Sequence, residues 1–301
     1  MKGQNPSDSS RQFSFGRLFT VRMSDKVISQ RTSTGLLLAL TAVVAVIFSL
    51  LPRIPQPQSY HLFADRRGFL GIPNFGDVVS NVPFGVIGIY GLLFLLRSSP
   101  GQLKERFLDS RERWPYVLVF IGLLLTAFGS SYYHLSPNNA RLVWDRLPMT
   151  IAFMAMVAAI ISERISLRAG LWLLPLLLLI GMGSVLQWYA SEARGAGDLR
   201  FYAAVQAYSA LALLLALVFP KRYTRTSDLA VVVGFYALAK ALETLDKPVF
   251  AMGHIVSGHT LKHLAAAAAG YWILRMLQKR QPVLDSASPV VRPNESQLER
   301  V

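Results

Sequence analysis

The chain has 301 residues, of which 52% are hydrophobic and only 16% are charged. This balance is too apolar for an ordinary soluble domain of this length, and it indicates an integral membrane protein. Lysine and arginine outnumber aspartate and glutamate by 31 to 17, giving a formal net charge of +14. The chain has no cysteine, which excludes disulfides and thiolate metal sites. Any transition metal would therefore be held by histidine or carboxylate side chains.

Apolar runs that are long enough to cross a bilayer recur along most of the chain. A helix of about 20 apolar residues spans a hydrocarbon core of roughly 30 Å. Backbone groups inside lipid need internal partners, so we predict an all-α polytopic bundle. Lys240, Glu243 and Asp246 crowd the seventh run and favour an early end for it. The predicted spans are residues 34 to 52, 76 to 96, 114 to 134, 145 to 163, 170 to 190, 199 to 219, 228 to 248 and 256 to 278.

The apolar runs together define one transmembrane domain over residues 34 to 280, flanked by two polar segments. Residues 1 to 33 are Ser-rich and basic, and residues 281 to 301 are also polar, so both are predicted to be disordered tails. The first run ends at Leu51-Pro52-Arg53, which offers no small-residue cleavage site. We therefore interpret it as an uncleaved helix and not as a signal peptide.

The placement of the basic residues along the chain explains why the net charge is positive. If the N-terminus is cytoplasmic, alternate loops and the two tails on that side hold 21 lysines and arginines, against 8 on the opposite side. This asymmetry follows the positive-inside rule and excludes a nucleic-acid partner as its explanation. Eight spans then place both termini in the cytoplasm, in a protein whose partner is the lipid bilayer. The oligomeric state stays open.

Polar residues that are costly in lipid gather on the non-cytoplasmic side of this topology. The third span ends in Ser130-Ser131-Tyr132-Tyr133-His134, the fourth opens at Asp145, and the eighth begins with His259-Thr260-Leu261-Lys262-His263. Ionisable groups inside membrane segments are functional candidates, because an unused one would be expensive to bury. We therefore predict that Ser130, His134, Asp145, His259 and His263 share one depth.

The spacing of these residues suits a metal ion. His259 and His263 are four residues apart, which puts both imidazoles on one face of a helix. With His134 they form a set of three imidazoles, the ligand set of some catalytic zinc sites. Taken singly, the residues have plainer interpretations: His134 as an interfacial histidine, Asp145 as a helix N-terminal residue, and Ser130 as a small packing residue.

The pattern Ser130-x-x-x-His134, Asp145 eleven residues later, and His259-x-x-x-His263 in the last helix resembles the alkaline ceramidase family. That family belongs to a group of seven-helix membrane hydrolases which includes the adiponectin receptors and the Per1-type proteins. The resemblance covers about residues 60 to 280 and leaves residues 34 to 52 as an extra N-terminal helix. It implies a zinc-dependent amidase that cleaves the N-acyl bond of ceramide-like membrane lipids. His134, His259 and His263 would bind zinc, Asp145 would assist the hydrolytic water, and Ser130 would orient the scissile group.

The same resemblance suggests a calcium site before the first core helix. Only Asp65 and Asp77 are acidic in that stretch, and Arg66 and Arg67 lie beside them. Carboxylate oxygens suit Ca²⁺, while the plainer interpretation makes Asp77 a cap near the start of a helix.

Two other functions remain open at this point. The same metal site would also suit a lipid esterase of the remodelling type, since zinc activates attack on either bond. A receptor or transporter is the other alternative, with Lys240, Glu243 and Asp246 forming an ion or proton path. Local ion pairs of Glu243 with Lys240 and with Lys247 are the simpler interpretation of these residues.

Overall fold

The computed structural model describes residues 28–283, and within that range the chain forms helices and no strand. The predicted all-α fold is thereby confirmed. Two single turns of 3-10 helix, Gln58–His61 and Ser110–Glu112, occur between the α-helices. The α-helices are α1 (Gln30–Leu50), α2 (Phe75–Val79), α3 (Val82–Arg97), α4 (Pro100–Arg106), α5 (Arg113–Leu135), α6 (Asn139–Arg164), α7 (Leu167–Ala193), α8 (Arg200–Leu215), α9 (Asp228–Thr244), α10 (Asp246–Ala251) and α11 (Gly258–Lys279).

Five helical segments are long and apolar enough to cross a membrane. These segments are Gln30–Leu50, Phe75–Arg97, Ser110–Leu135, Asn139–Arg164 and Leu167–Ala193. The three remaining predicted spans correspond to α8, α9 and α11, of which α8 and α9 have only 16 and 17 residues. Crossing by these three helices, and the side on which each loop lies, stay predictions.

Helix boundaries differ from expectation where side chains cap the backbone. The first helix begins at Gln30, inside the segment assigned to the N-terminal tail, because the Ser29 side chain accepts the N–H of Thr32. The predicted early end of the seventh span is confirmed, since α9 ends at Thr244. The rest of the two predicted tails, residues 1–27 and 284–301, lies outside the described residues.

Helices α5 and α6 form the centre of the bundle, with α3 and α7 packed on either side of them and α9 paired with α11. The extra helix α1 packs against α8. A close approach of α5 to α6 is allowed by Gly122, where an added Cβ would meet the Ala152 nitrogen at 2.8 Å. Small residues at helix contacts are typical of membrane bundles, because packing and not the hydrophobic effect holds such helices together.

A buried ionic cluster ties the carboxyl ends of α6 and α11 together. Arg280 donates to Glu163 at 2.5 Å, and the Tyr116 hydroxyl donates to the same carboxylate at 2.9 Å. Arg280 and Glu163 are only 1% and 4% exposed. This cluster closes the end of the bundle opposite to the histidines, which lie near the carboxyl end of α5 and the amino end of α11.

Candidate metal centre

His134, His259 and His263 meet inside the bundle. Each offers one ring nitrogen such that the three atoms all lie within 4.8 Å of one another. The three pairs of ring centroids are each 4.9 Å apart. All three side chains are buried. The predicted convergence of these imidazoles from α5 and α11 is confirmed, and the cluster is able to hold a metal ion.

The hydrogen bonding of His134 fits a ligand role. Neither ring nitrogen of His134 has a hydrogen-bond partner among the described residues, although the side chain is fully buried. Buried polar atoms without partners are rare because they lose their bonds to water without replacement. A metal ion at this position would give one nitrogen a partner, and borderline-soft ions such as zinc suit a set of three imidazoles.

Two side chains that the sequence analysis did not select contact the imidazoles of His263 and His259. Ser80 lies 2.8 Å from Nδ1 of His263, which leaves Nε2 for an ion. Lys262 lies 3.0 Å from Nε2 of His259, and with that bond in place Nδ1 is the nitrogen of His259 left for a ligand role. Such outer contacts fix ring orientation and tautomer in metal sites.

The amino end of α11 is held in place by Asp246 and by the loop before α2. One carboxylate oxygen of Asp246 accepts the backbone N–H of His259 at 2.8 Å, and the other accepts that of Ala64 at 2.9 Å. The Phe63 ring packs against His134 and His259, with centroids 4.7 and 4.5 Å away. Asp246 therefore holds the amino end of α11, which carries His259 and His263. This structural role explains the buried contacts of Asp246 without ion transport.

Asp145 lies further inside a helix than the sequence indicated. The predicted fourth span opens at Asp145, whereas α6 begins at Asn139 because the Asn138 side chain accepts the N–H of Arg141. The predicted start of the fourth span at residue 145 was therefore wrong, and so was the plainer interpretation of Asp145 as a helix N-terminal residue. It sits in the second turn of α6, 5% exposed, with Ser130 of α5 beside it.

Gly129 brings the backbones of α5 and α6 into contact beside these two residues. A Cβ at Gly129 would lie 2.0 Å from the carbonyl oxygen of Trp144. The position therefore accepts no side chain unless the helices separate. This contact sets Ser130 against Asp145.

The substitution Gly129→Ala should destabilise the bundle by about 1–3 kcal/mol, because overpacking forces backbone shifts. The matched control is Gly183→Ala in α7, where an added Cβ has no atom within 4 Å. Thermal unfolding in detergent would compare the two variants with the unsubstituted protein. A Gly129→Ala protein as stable as Gly183→Ala would contradict the close approach.

Asp65 and Asp77, the residues considered for calcium, lie near each other but have other partners. Both oxygens of Asp65 accept hydrogen bonds from Arg67, which hold the pKa of Asp65 below its ordinary value. One oxygen of Asp77 accepts from Thr260 at 2.7 Å, and the other has no hydrogen-bond partner in the part of the chain that the structure describes. Arg67 thus occupies both oxygens of Asp65 and leaves one carboxylate oxygen of the pair for a cation, so that calcium binding stays a prediction.

Glu243 joins α9 to α11 and to the loop before α2. It pairs with Lys240, as predicted, but its second lysine is Lys262 at 3.1 Å and not Lys247. The Tyr60 hydroxyl also donates to Glu243, at 2.9 Å. Burial, with the negative charge of Glu243 adding to it, raises the pKa of Tyr60. Glu243 is thus fully engaged by neighbouring side chains.

A cavity of about 400 Å³ opens beside the histidine cluster. Its walls are mostly apolar and come from α3, α5, α6, α8, α9 and α11. Its polar end includes Asp145, Arg146 and Lys262, whereas the three histidines are outside the lining. Volumes of about 300–1,000 Å³ are usual for pockets that hold small organic ligands.

The two other histidines, His61 and His254, do not join the cluster. His61 instead contacts the Tyr133 hydroxyl and Asn139, at 2.8 and 2.9 Å. His254 is exposed.

The sequence matches no protein-family model and no curated protein. The similarity to alkaline ceramidases therefore depends on the identity and spacing of five residues. What that similarity implies about activity enters below as a proposal.

Proposed function

We propose that this protein is a zinc-dependent membrane hydrolase which cleaves the N-acyl bond of ceramide-like lipids. The observation that carries the proposal is the buried cluster of His134, His259 and His263 beside a largely apolar cavity. Within residues 28–283, the ring nitrogens of His134 have no hydrogen-bond partner. The resemblance to alkaline ceramidases supports the same reaction. By the charge distribution of the sequence, the proposed site faces the non-cytoplasmic side, with both termini in the cytoplasm.

The three histidines would hold the zinc ion. Zinc, when bound, supplies Lewis-acid activation of a carbonyl group and of water. Ser80 and Lys262 would orient the imidazoles of His263 and His259 through the contacts described above. Phe63 covers two of the rings and keeps bulk water away from them.

Asp145 and Ser130 would take part in proton transfer and in stabilising the negative charge that develops. Asp145, whose carboxylate lines the cavity, would accept a proton from the attacking water and pass it to the leaving nitrogen. The Ser130 hydroxyl, next to that carboxylate, would turn its proton towards the substrate and donate it to the oxygen on which negative charge develops. The acyl chain would lie along the apolar walls of the cavity.

The alternatives differ in what they ask of these residues. Transport along Lys240, Glu243 and Asp246 is not favoured, because Glu243 is engaged by two lysines and a tyrosine, and Asp246 accepts two backbone N–H groups. Ester hydrolysis would use the same histidines and carboxylate. It is therefore an outcome of the test and not a separate proposal.

A direct test incubates the purified full chain, loaded with zinc, with an N-acyl long-chain amine and with the ester of the same acyl chain. We expect the protein to release fatty acid from the amide. This activity should be lost when zinc is chelated and restored when zinc is added, because the three histidines would act only by holding the ion that activates water. The His254→Ala variant should retain the activity, since that residue is exposed and outside the cluster. Release of fatty acid from the ester alone would reject the amidase and show that the protein is an esterase. No release from either substrate would reject the hydrolase.

A further inference from the structure

Arg146 is a buried cation without an anionic partner. It follows Asp145 on α6, is 5% exposed, and belongs to the polar end of the cavity. Its Nη2 donates to Gln56 at 2.6 Å, while Nη1 has no hydrogen-bond partner among the described residues. None of the ion pairs in residues 28–283 involves Arg146.

Aromatic rings hold this guanidinium in place. Its central carbon lies 4.3 Å from the ring of Trp188, 4.8 Å from that of Tyr202 and 5.6 Å from that of Tyr60. Cation–π contacts offset part of the cost of burying the charge. They leave the free N–H groups of Nη1 unsatisfied, and a buried charge is costly unless it is both paired and hydrogen-bonded.

The cavity lining holds three cations, Arg146, Lys240 and Lys262, against two carboxylates, Asp145 and Glu243. Lys240 and Lys262 share the carboxylate of Glu243. Asp145 is adjacent to Arg146 in the chain, but consecutive residues on a helix point about 100° apart, and the Asp145 carboxylate lies against Ser130 of α5. Among the described residues, Arg146 is therefore the cation of the cavity lining that has no ion pair, and it could bind an anionic group of a ligand.

We propose that Arg146 binds the carboxylate of an N-acyl amino acid whose acyl chain lies in the cavity. The planar guanidinium matches a carboxylate, and one unpaired positive charge calls for one negative charge. A phosphate monoester carries about −1.5 to −2 and would face Asp145 and Glu243 as well. In an N-acyl amino acid the carboxylate is a few bonds from the amide. Asp145 and Arg146 both line the cavity, so both groups of such a ligand have a counterpart there.

The identity of the scissile bond rests on the proposed function, whereas the recognition of the carboxylate does not require metal. In the reaction, the oxygen of water bonds to the acyl carbon and the C–N bond breaks. The nitrogen takes a proton, so that a fatty acid and an amino acid are released. Water is the only co-reactant.

The test compares two amphiphiles with the same chain and the same amide, N-oleoylglycine and N-oleoylethanolamine, which differ in carrying a carboxylate or a hydroxyl. Binding is measured by calorimetry to the full chain carrying His259→Ala, so that neither probe is hydrolysed. A charge-assisted bond to a buried arginine predicts that the glycine compound binds roughly 10- to 100-fold more tightly.

Two further variants, made in the same His259→Ala background, assign the preference to one residue. Arg146→Gln should abolish the preference, while Arg194→Gln, which changes an exposed arginine outside the cavity, should keep it. Arg146→Gln also removes an unpaired buried charge and should not lower the melting temperature of the ligand-free protein. Equal binding of the two probes overturns the inference even if Arg146→Gln fails to fold, and so does a preference that survives Arg146→Gln.

Hydrolysis assays with the unsubstituted protein separate this inference from the proposed function. A preference for N-oleoylglycine without hydrolysis of either probe would leave the carboxylate site standing and reject the amidase. Hydrolysis of both probes without a binding preference would support the amidase and reject the carboxylate site.

Discussion

The His134→Ala variant is expected to lose tight zinc binding. His134 is the only ligand that α5 contributes, so its removal leaves a pair of imidazoles on α11, fewer than the three protein ligands of a catalytic zinc site. Zinc analysis after dialysis against buffered zinc should show about one ion per unsubstituted chain and almost none per variant chain. Amide hydrolysis should disappear together with the ion.

The thermal response to zinc provides a second measurement on the same variant. A ligand that binds only the folded state stabilises it by about 2.7 kcal/mol at 100 times its dissociation constant. The melting temperature of the unsubstituted protein should therefore rise with added zinc, while that of His134→Ala should not. His254→Ala serves as the matched control, because it removes an exposed imidazole outside the cluster. An unchanged zinc content in His134→Ala would show that the cluster is not the binding site.

The Asp145→Asn variant should lose activity while it keeps its metal. General acid–base catalysis by a positioned side chain contributes about 10²- to 10⁴-fold to the rate, and an amide of the same shape cannot take up the proton. We expect kcat for amide hydrolysis to fall by that factor. The three histidines are intact in this variant, so zinc content should remain that of the unsubstituted protein.

The control for Asp145→Asn is Asp109→Asn, which neutralises a carboxylate near the opposite end of the bundle, where it pairs with Arg111. This variant should keep full activity. Loss of zinc from Asp145→Asn would indicate that the carboxylate acts as a metal ligand. Full activity of Asp145→Asn would remove the residue from the mechanism.

The membrane character and the helical segments followed from composition and apolar runs, because each helix in lipid must satisfy its own backbone. Six of the eight predicted spans correspond to one α-helix each. The second covers α2 and α3, and the seventh covers α9, which ends early where its charged residues gather, and the start of α10. The start of α6 was wrong by six residues. Polar residues before Asp145 appeared to form a loop, yet Asn138 caps a helix that already includes them.

Within the candidate site, the sequence by itself determined the pair on α11, since four-residue spacing puts His259 and His263 on one helical face wherever the helix packs. Their meeting with His134 followed from a shared depth in the membrane. Tertiary structure alone decided the contacts of Ser80, Phe63 and Arg146. These residues come from separate segments with no periodic relation to the histidines, and only the packing of the helices brings their side chains to the cluster and its cavity. Spacing along one chain predicts neighbours within a helix, but not neighbours between helices.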